Sequence, residues 1–214
     1  MSHHQPFEII GFHSCDKNLG LKLLSGKDKL KPSKNSWDWL GSGIYFWEQN
    51  PTRALDYAVD CANDRQYFNG KIETPFIIGA IIQLGNCLNL VEAGSSEIVK
   101  QSYKGLKRWI SEEGGKMPRN KRSNRALDCA VIEYVHYTNN KAQIQQYDTV
   151  RSAFQEGNRL YAGSNFTERL HLEICVRTES MIKGYFLPLP IEKYNPYYKK
   201  FFIKKASKNP IKKG

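Results

Sequence analysis

The chain has 214 residues, of which 40% are apolar and 12% aromatic, enough for a sizeable core and better matched to one domain than to two. No apolar run approaches the roughly 20 residues that cross a bilayer, and the start, MSHHQPFEIIGF, lacks the basic, apolar and small-residue succession of an export signal, so a cytoplasmic protein is expected. The formal net charge of +11 raises the potential toward phosphates and other anions without selecting among them.

In chain order, PFEIIGFHSC (6–15) reads as a strand carrying His13, and GLKLLSG (20–26) as a short helix closed by Gly26. A polar loop with Pro32, Ser33 and Asn35 follows. GIYFWE is a second strand, and the Asn50-Pro51-Thr52 turn opens a helix to about Asn63, with Pro51 suited to a first helical turn. PFIIGAIIQLG (75–85) is apolar, β-branched and long enough for a central strand, with Gly79 allowing close backbone approach. An amphipathic helix is expected from Ser95 or Ser96 through EIVKQSYKGLKRWISEE, then the basic loop GGKMPRNKRSN (114–124), then a helix over RALDCAVIEYVHYTNN. Asp148 to about Arg169 reads as an irregular connection, and LHLEICVR and MIKGYFLPL read as two closing strands. Strands at both ends with helices between the early ones argue for an α+β fold with mixed sheets.

Cys15, Cys61, Cys87, Cys129 and Cys175 show no CxxC spacing and read as thiols, giving neither a disulfide framework nor a metal site. After Glu192 no acidic residue remains, while Lys193, Lys199, Lys200, Lys204, Lys205, Lys208, Lys212 and Lys213 alternate with tyrosines and phenylalanines. That tail, taken as 191–214 beside a domain of 1–190, fits either a solvated end or a surface for a nucleic-acid backbone.

WLGSGIYFWEQNPTRALDYA holds the densest pattern. Gly41 and Gly43 fit a turn needing positive φ or close approach. Tyr45 on the strand and Tyr57 on the following helix are either two core rings or two faces able to hold a flat heteroaromatic ring. The Rossmann spacing is absent, because Phe46 stands where a third glycine would be.

GFHSC, GSGIYF with its second tyrosine, and LHLEICV followed by IKGYF occur in that order, and together they resemble the His-Tyr-Glu class of ADP-ribosyltransferases, the diphtheria-toxin-like and poly(ADP-ribose)-polymerase-like catalytic domains. The resemblance covers roughly residues 8–187 and implies two mixed or antiparallel sheets forming an NAD+ cleft flanked by helices, with NAD+ as co-substrate and no metal. It implies His13, Tyr45 and Glu173 as the catalytic set. Tyr45 and Tyr57 would sandwich the nicotinamide, His13 would hydrogen-bond the adenosine ribose, the Ser14 backbone would meet the carboxamide, Gly41 and Gly43 would shape the turn, and Glu173 would sit against the nicotinamide ribose. Ser14 stands where the family usually has glycine, and Ala54 near where many members carry serine. From the residues alone, His13 also fits a core histidine and Glu173 an exposed strand position beside His171, with Glu156 and Glu168 as rival carboxylates.

The stretch before Glu173 carries Arg151, Arg159, Tyr161 and Arg169, and arginines with exposed aromatics suit phosphate contacts and base stacking. With the basic loop and tail, this favours a nucleic-acid acceptor, RNA first, over a protein side chain. The size, with neither a secretion signal nor regulatory modules expected, resembles that of small bacterial ADP-ribosyltransferase toxins of toxin–antitoxin and anti-phage systems, which implies an antitoxin partner. A basic nucleic-acid-binding module without catalysis is the alternative from another class.

Overall fold

Residues 7–64, 71–121 and 124–198 are described by a computed structural model of the chain. The strands are β1 (Glu8–Asp16), β2 (Ile44–Glu48), β3 (Pro75–Gln83), β4 (Cys87–Asn89), β5 (Thr149–Arg159), β6 (Thr167–Val176) and β7 (Ile182–Phe186). The helices are α1 (Lys17–Leu24), α2 (Pro51–Asn63), α3 (Ala93–Glu112), α4 (Ala126–Lys141) and α5 (Ile191–Tyr194). Among the described residues no helix is long and apolar enough to cross a membrane.

Local chemistry sets several of these boundaries. Asp16 ends β1 and caps α1, its carboxylate accepting from Asn18 N at 2.9 Å. Asn50 does the same for α2, accepting from Arg53 N at 2.9 Å, with Pro51 in the first turn where its missing N–H is harmless. α3 starts at Ala93, ahead of the serines expected to begin it, and without a side-chain cap.

The class is α+β, but the strands form one hydrogen-bonded sheet of seven in the order β4-β5-β6-β2-β1-β3-β7, which corrects the expectation of two. It is mixed because β4 and β5 run parallel while the other pairs are antiparallel. The halves meet where β1 and β2 share two register pairs, Gly11 with Glu48 and Phe12 with Trp47. Beyond Phe12 the ladder gives way to side chains: His13 Nδ1 donates to the Tyr45 carbonyl at 2.8 Å, and Ser14 Oγ donates to the Ala54 carbonyl on α2.

The stretch from Asp148 to Arg169 corrects the expectation of an irregular connection. It forms β5 and the start of β6, an antiparallel hairpin whose outer end is exposed.

Alternation sorts the two faces. Ile44, Phe46, Ile174 and Val176 pack with Ile9, Cys15, Ile78 and Ile82 under α1. On the other face α2 covers Phe12, Trp47 and Ile77, while α4 covers Leu88, Val150 and Cys175. Burying a side chain such as Phe46 or Phe76, 1% and 0% exposed, stabilises by roughly 1.5–3 kcal/mol. Residues 191–198 belong to this body. Asn195 is buried, accepting from Ile77 N at 2.7 Å and donating to Ile77 O at 3.1 Å, and Lys17 Nζ donates to Tyr198 O at 2.7 Å. The lysines from Lys199 onward lie outside the described residues.

Candidate active site

The turn before β2 explains its glycines. Gly41 has φ +78°, and a Cβ there would fall 2.6 Å from Glu133 Oε1. A Cβ on Gly43 would overlap Cys175 Sγ, so that glycine lets β2 close onto β6. Glu133 on α4 clamps the turn, accepting from Ser42 N at 2.5 Å and from Arg177 at 2.9 and 3.2 Å. Tyr45 finishes it, its hydroxyl accepting from Leu40 N at 2.9 Å and donating to Gly41 O at 2.7 Å.

The register then fixes the floor of the site. Tyr45 stands opposite Cys175 and Trp47 opposite Glu173. Cross-strand partners share a face, so Tyr45, Trp47 and Glu173 line the side covered by α2 and α4. Glu173 sits between the cluster under α4, which holds Tyr45, and the cluster under α2, which holds Tyr57. Tyr57 packs on Trp47, with ring centroids 5.1 Å apart. Burial first, then the neighbouring Cys175, pushes the Tyr45 hydroxyl far above its ordinary value, and burial then Cys61 does so for Tyr57. The Glu173 charge is a lesser cause of both shifts.

Glu173 is held by a residue that sequence reading placed only on the same face. His171 Nε2 lies 2.9 Å from Glu173 Oε1, and its Nδ1 lies 2.9 Å from the Arg169 carbonyl. The imidazole is 1% exposed and the carboxylate 16%. With Nδ1–H donated to Arg169, the second contact needs a proton as well. The chain of charge continues outward: Glu156 Oε2 lies 4.0 Å from His171 Nε2 and accepts from Arg53 Nη2 at 2.6 Å.

Arg53 is buried with its guanidinium carbon 5.5 Å from the Trp47 ring centroid. Among the described residues its Nε and Nη1, and Trp47 Nε1, are buried without a hydrogen-bond partner. A buried donor left unpaired costs about 1–3 kcal/mol, which marks this corner as under-satisfied. An open depression of about 370 Å³ beside the β2–α2 turn is lined by Glu48, Ala153, Leu170 and Leu172, which project from the opposite, α1 face of these strands, and among its lining residues only His171 belongs to the series at Glu173.

Other sequence-predicted residues fall elsewhere. His13 points to the opposite face, its ring 5.5 Å from that of Phe46, and burial holds it below its ordinary pKa against the raising effect of the Tyr45 carbonyl. Arg151 lies on that same opposite face, where Glu48 engages it at 2.6 and 3.0 Å and Asn89 at 3.2 Å. Arg169 reaches Asp60 on α2 at 3.4 Å. Arg159 and Tyr161 are exposed at the hairpin end, Tyr161 at 62%, and Glu168 accepts from Asn158 N there at 2.9 Å. Among the described residues no group of three or more His, Cys, Asp or Glu side chains is placed to hold a metal ion.

Comparison of the chain with protein-family models, curated proteins and solved structures finds no match.

Proposed function

We propose that this protein is a mono-ADP-ribosyltransferase that moves ADP-ribose from NAD+ to a nucleic-acid acceptor, RNA first, as the toxin of a bacterial toxin–antitoxin or anti-phage system. The observation that carries the reading is the convergence of Tyr45, Tyr57 and Glu173, from two separate sequence motifs, on one side of the β2–β6 junction. The unpaired donors of Arg53 and Trp47 beside them fit a ligand rich in oxygen acceptors, as a dinucleotide is.

NAD+ supplies a ribose whose bond to nicotinamide breaks with the electron pair leaving on the ring nitrogen. Glu173 acts on the positive charge that then builds at the ribose carbon, a stabilisation stronger in the transition state than in the ground state. With one oxygen tied to His171, the other is left to face the ribose and to take the proton released by the incoming nucleophile. Tyr57 and Trp47 offer an aromatic wall. Ser14 and Ala54, the two departures from the family pattern, meet where the Ser14 hydroxyl donates to the Ala54 carbonyl. His13 supports the wall by holding the Tyr45 carbonyl. The exposed hairpin end, with Arg159 and Tyr161, is presented to the acceptor.

The test is labelled NAD+ incubated with the protein and cell lysate, then treated separately with RNase, DNase and protease. Label lost to RNase supports the reading. Label lost only to protease moves the acceptor to a protein side chain, and absence of nicotinamide release overturns the transferase.

A further inference from the structure

α3 and α4 pack side by side, and their outer surface carries three aromatic rings in near-parallel planes. Trp109 and Tyr137 lie 5.7 Å apart at 17°, Tyr134 and Tyr137 5.9 Å apart at 28°, and Trp109 and Tyr134 6.0 Å apart at 25°. Trp109 and Tyr137 are 44% and 46% exposed, an unusual position for large rings that a core would accept. The arrangement is built by Gly105, where a Cβ would fall 2.9 Å from Tyr134 Cε1. Only a glycine lets that ring lie against the α3 backbone without a shift.

Cations border the rings. Lys104 and Arg108 occupy the helical row next to the one holding Gly105 and Trp109. Lys104, Lys107 and Arg108 line one open groove of about 440 Å³ on α3 together with Ser111 and Glu112, Lys107 lying on the side of the helix turned away from Trp109. The three cations are exposed, and among the described residues no ion pair holds them. Like charges three and four residues apart disfavour the isolated helix, so this row suits a polyanion that relieves them. Lys141 Nζ stands 5.7 Å from the Tyr137 centroid at the far edge. The loop after α3, with Lys116 and Arg119, is anchored between the helices because Asn120 Oδ1 accepts from Leu127 N at 3.0 Å.

We infer that the α3–α4 face is a docking surface for single-stranded nucleic acid, with unpaired bases stacking on Trp109 and Tyr137 and phosphates held by Lys104 and Arg108 on one border and Lys141 on the other. Near-parallel exposed rings offer stacking to any base, and the flanking cations follow a backbone, the combination that single strands recognise. A duplex keeps its bases out of reach of such rings. The inference rests on the nucleic-acid part of the proposed function and is independent of its chemistry.

Fluorescence anisotropy with a labelled oligouridylate, without NAD+, separates the two. The full chain is expected to bind the single strand more tightly than a duplex of the same length, with affinity falling steeply as salt rises. The double variant Trp109→Ala, Tyr137→Ala should lose about tenfold or more, as expected for roughly 1–3 kcal/mol of stacking per base. Lys104→Glu, Arg108→Glu should bind more weakly still and with a shallower salt slope. Both variants should melt like the parent and release nicotinamide at its rate, since none of these residues lies at Glu173. Unchanged oligonucleotide affinity in both folded variants overturns the inference and leaves the face to a protein partner. Loss of binding with no transferase activity in the parent keeps this surface and sinks the enzyme.

Discussion

Strands β2, β5 and β6 carry a carboxylate–cation system on each face, and the two are built differently. On the α1 face Glu48 grips Arg151 through two contacts, with side chains 7% and 14% exposed, and Asn89 takes another guanidinium donor. Everything in that pair is answered. On the α2–α4 face Glu173, His171, Glu156 and Arg53 form an open-ended series in which a buried guanidinium keeps two unpaired donors among the described residues. A closed pair fixes a fold, whereas a series with surplus donors beside an aromatic wall has hydrogen-bonding capacity to spare, which the proposed NAD+ site would use.

That contrast can be broken by substitution. Glu173→Gln keeps volume and loses charge, so nicotinamide release should fall by about 10²–10⁴-fold with an unchanged melting temperature; normal turnover would end the assignment. Glu48→Gln should do the reverse, destabilising by roughly 3–5 kcal/mol in urea titrations because Arg151 is left buried without its partner, while the folded fraction keeps its turnover. His171→Ala removes a hydrogen bond to a charged group, and roughly 1.5–3 kcal/mol of orientation should appear as a ten- to hundredfold loss in kcat with little change in KM, partly rescued by His171→Gln. A parallel rise in KM or loss of fold would make His171 merely structural.

The smallest effect concerns the other buried histidine. Burial first, then the Arg177 charge, lowers His136 to about 4, against the raising effects of Gln146 and Glu133. Between pH 6.5 and about 4 the unfolded chain therefore takes up a proton that the folded chain refuses. Stability should fall as pH drops through that window, by at most about 1.4 kcal/mol per pH unit, and His136→Gln should flatten the fall in urea midpoints.

Much of the fold was legible where burial imposes a period. β1, β2, β3, α2 and α4 lie close to their expected limits because one face of each meets the core. The β5–β6 hairpin was missed for the converse reason. Past Arg151 its residues are mostly half-exposed or exposed, so backbone pairing holds it and no apolar alternation announces it. The place of Glu173 on a strand before ICV was legible, and its sharing a face with His171 followed from alternation. The link onward to Glu156 and Arg53 was not, because those residues meet only when the hairpin folds and α2 lies across it. Nor could sequence show that Arg151 is taken by Glu48.

The two halves of the sheet share two backbone register pairs, after which His13 and Ser14 hold the seam through their side chains. A seam fastened by side chains can be retailored by point substitution. Each residue exchanged at position 13 or 14 alters how far β1 stands from β2 and α2, while every strand keeps its neighbour and no loop changes length. The spacing across this seam is thus separable from the identity of the fold.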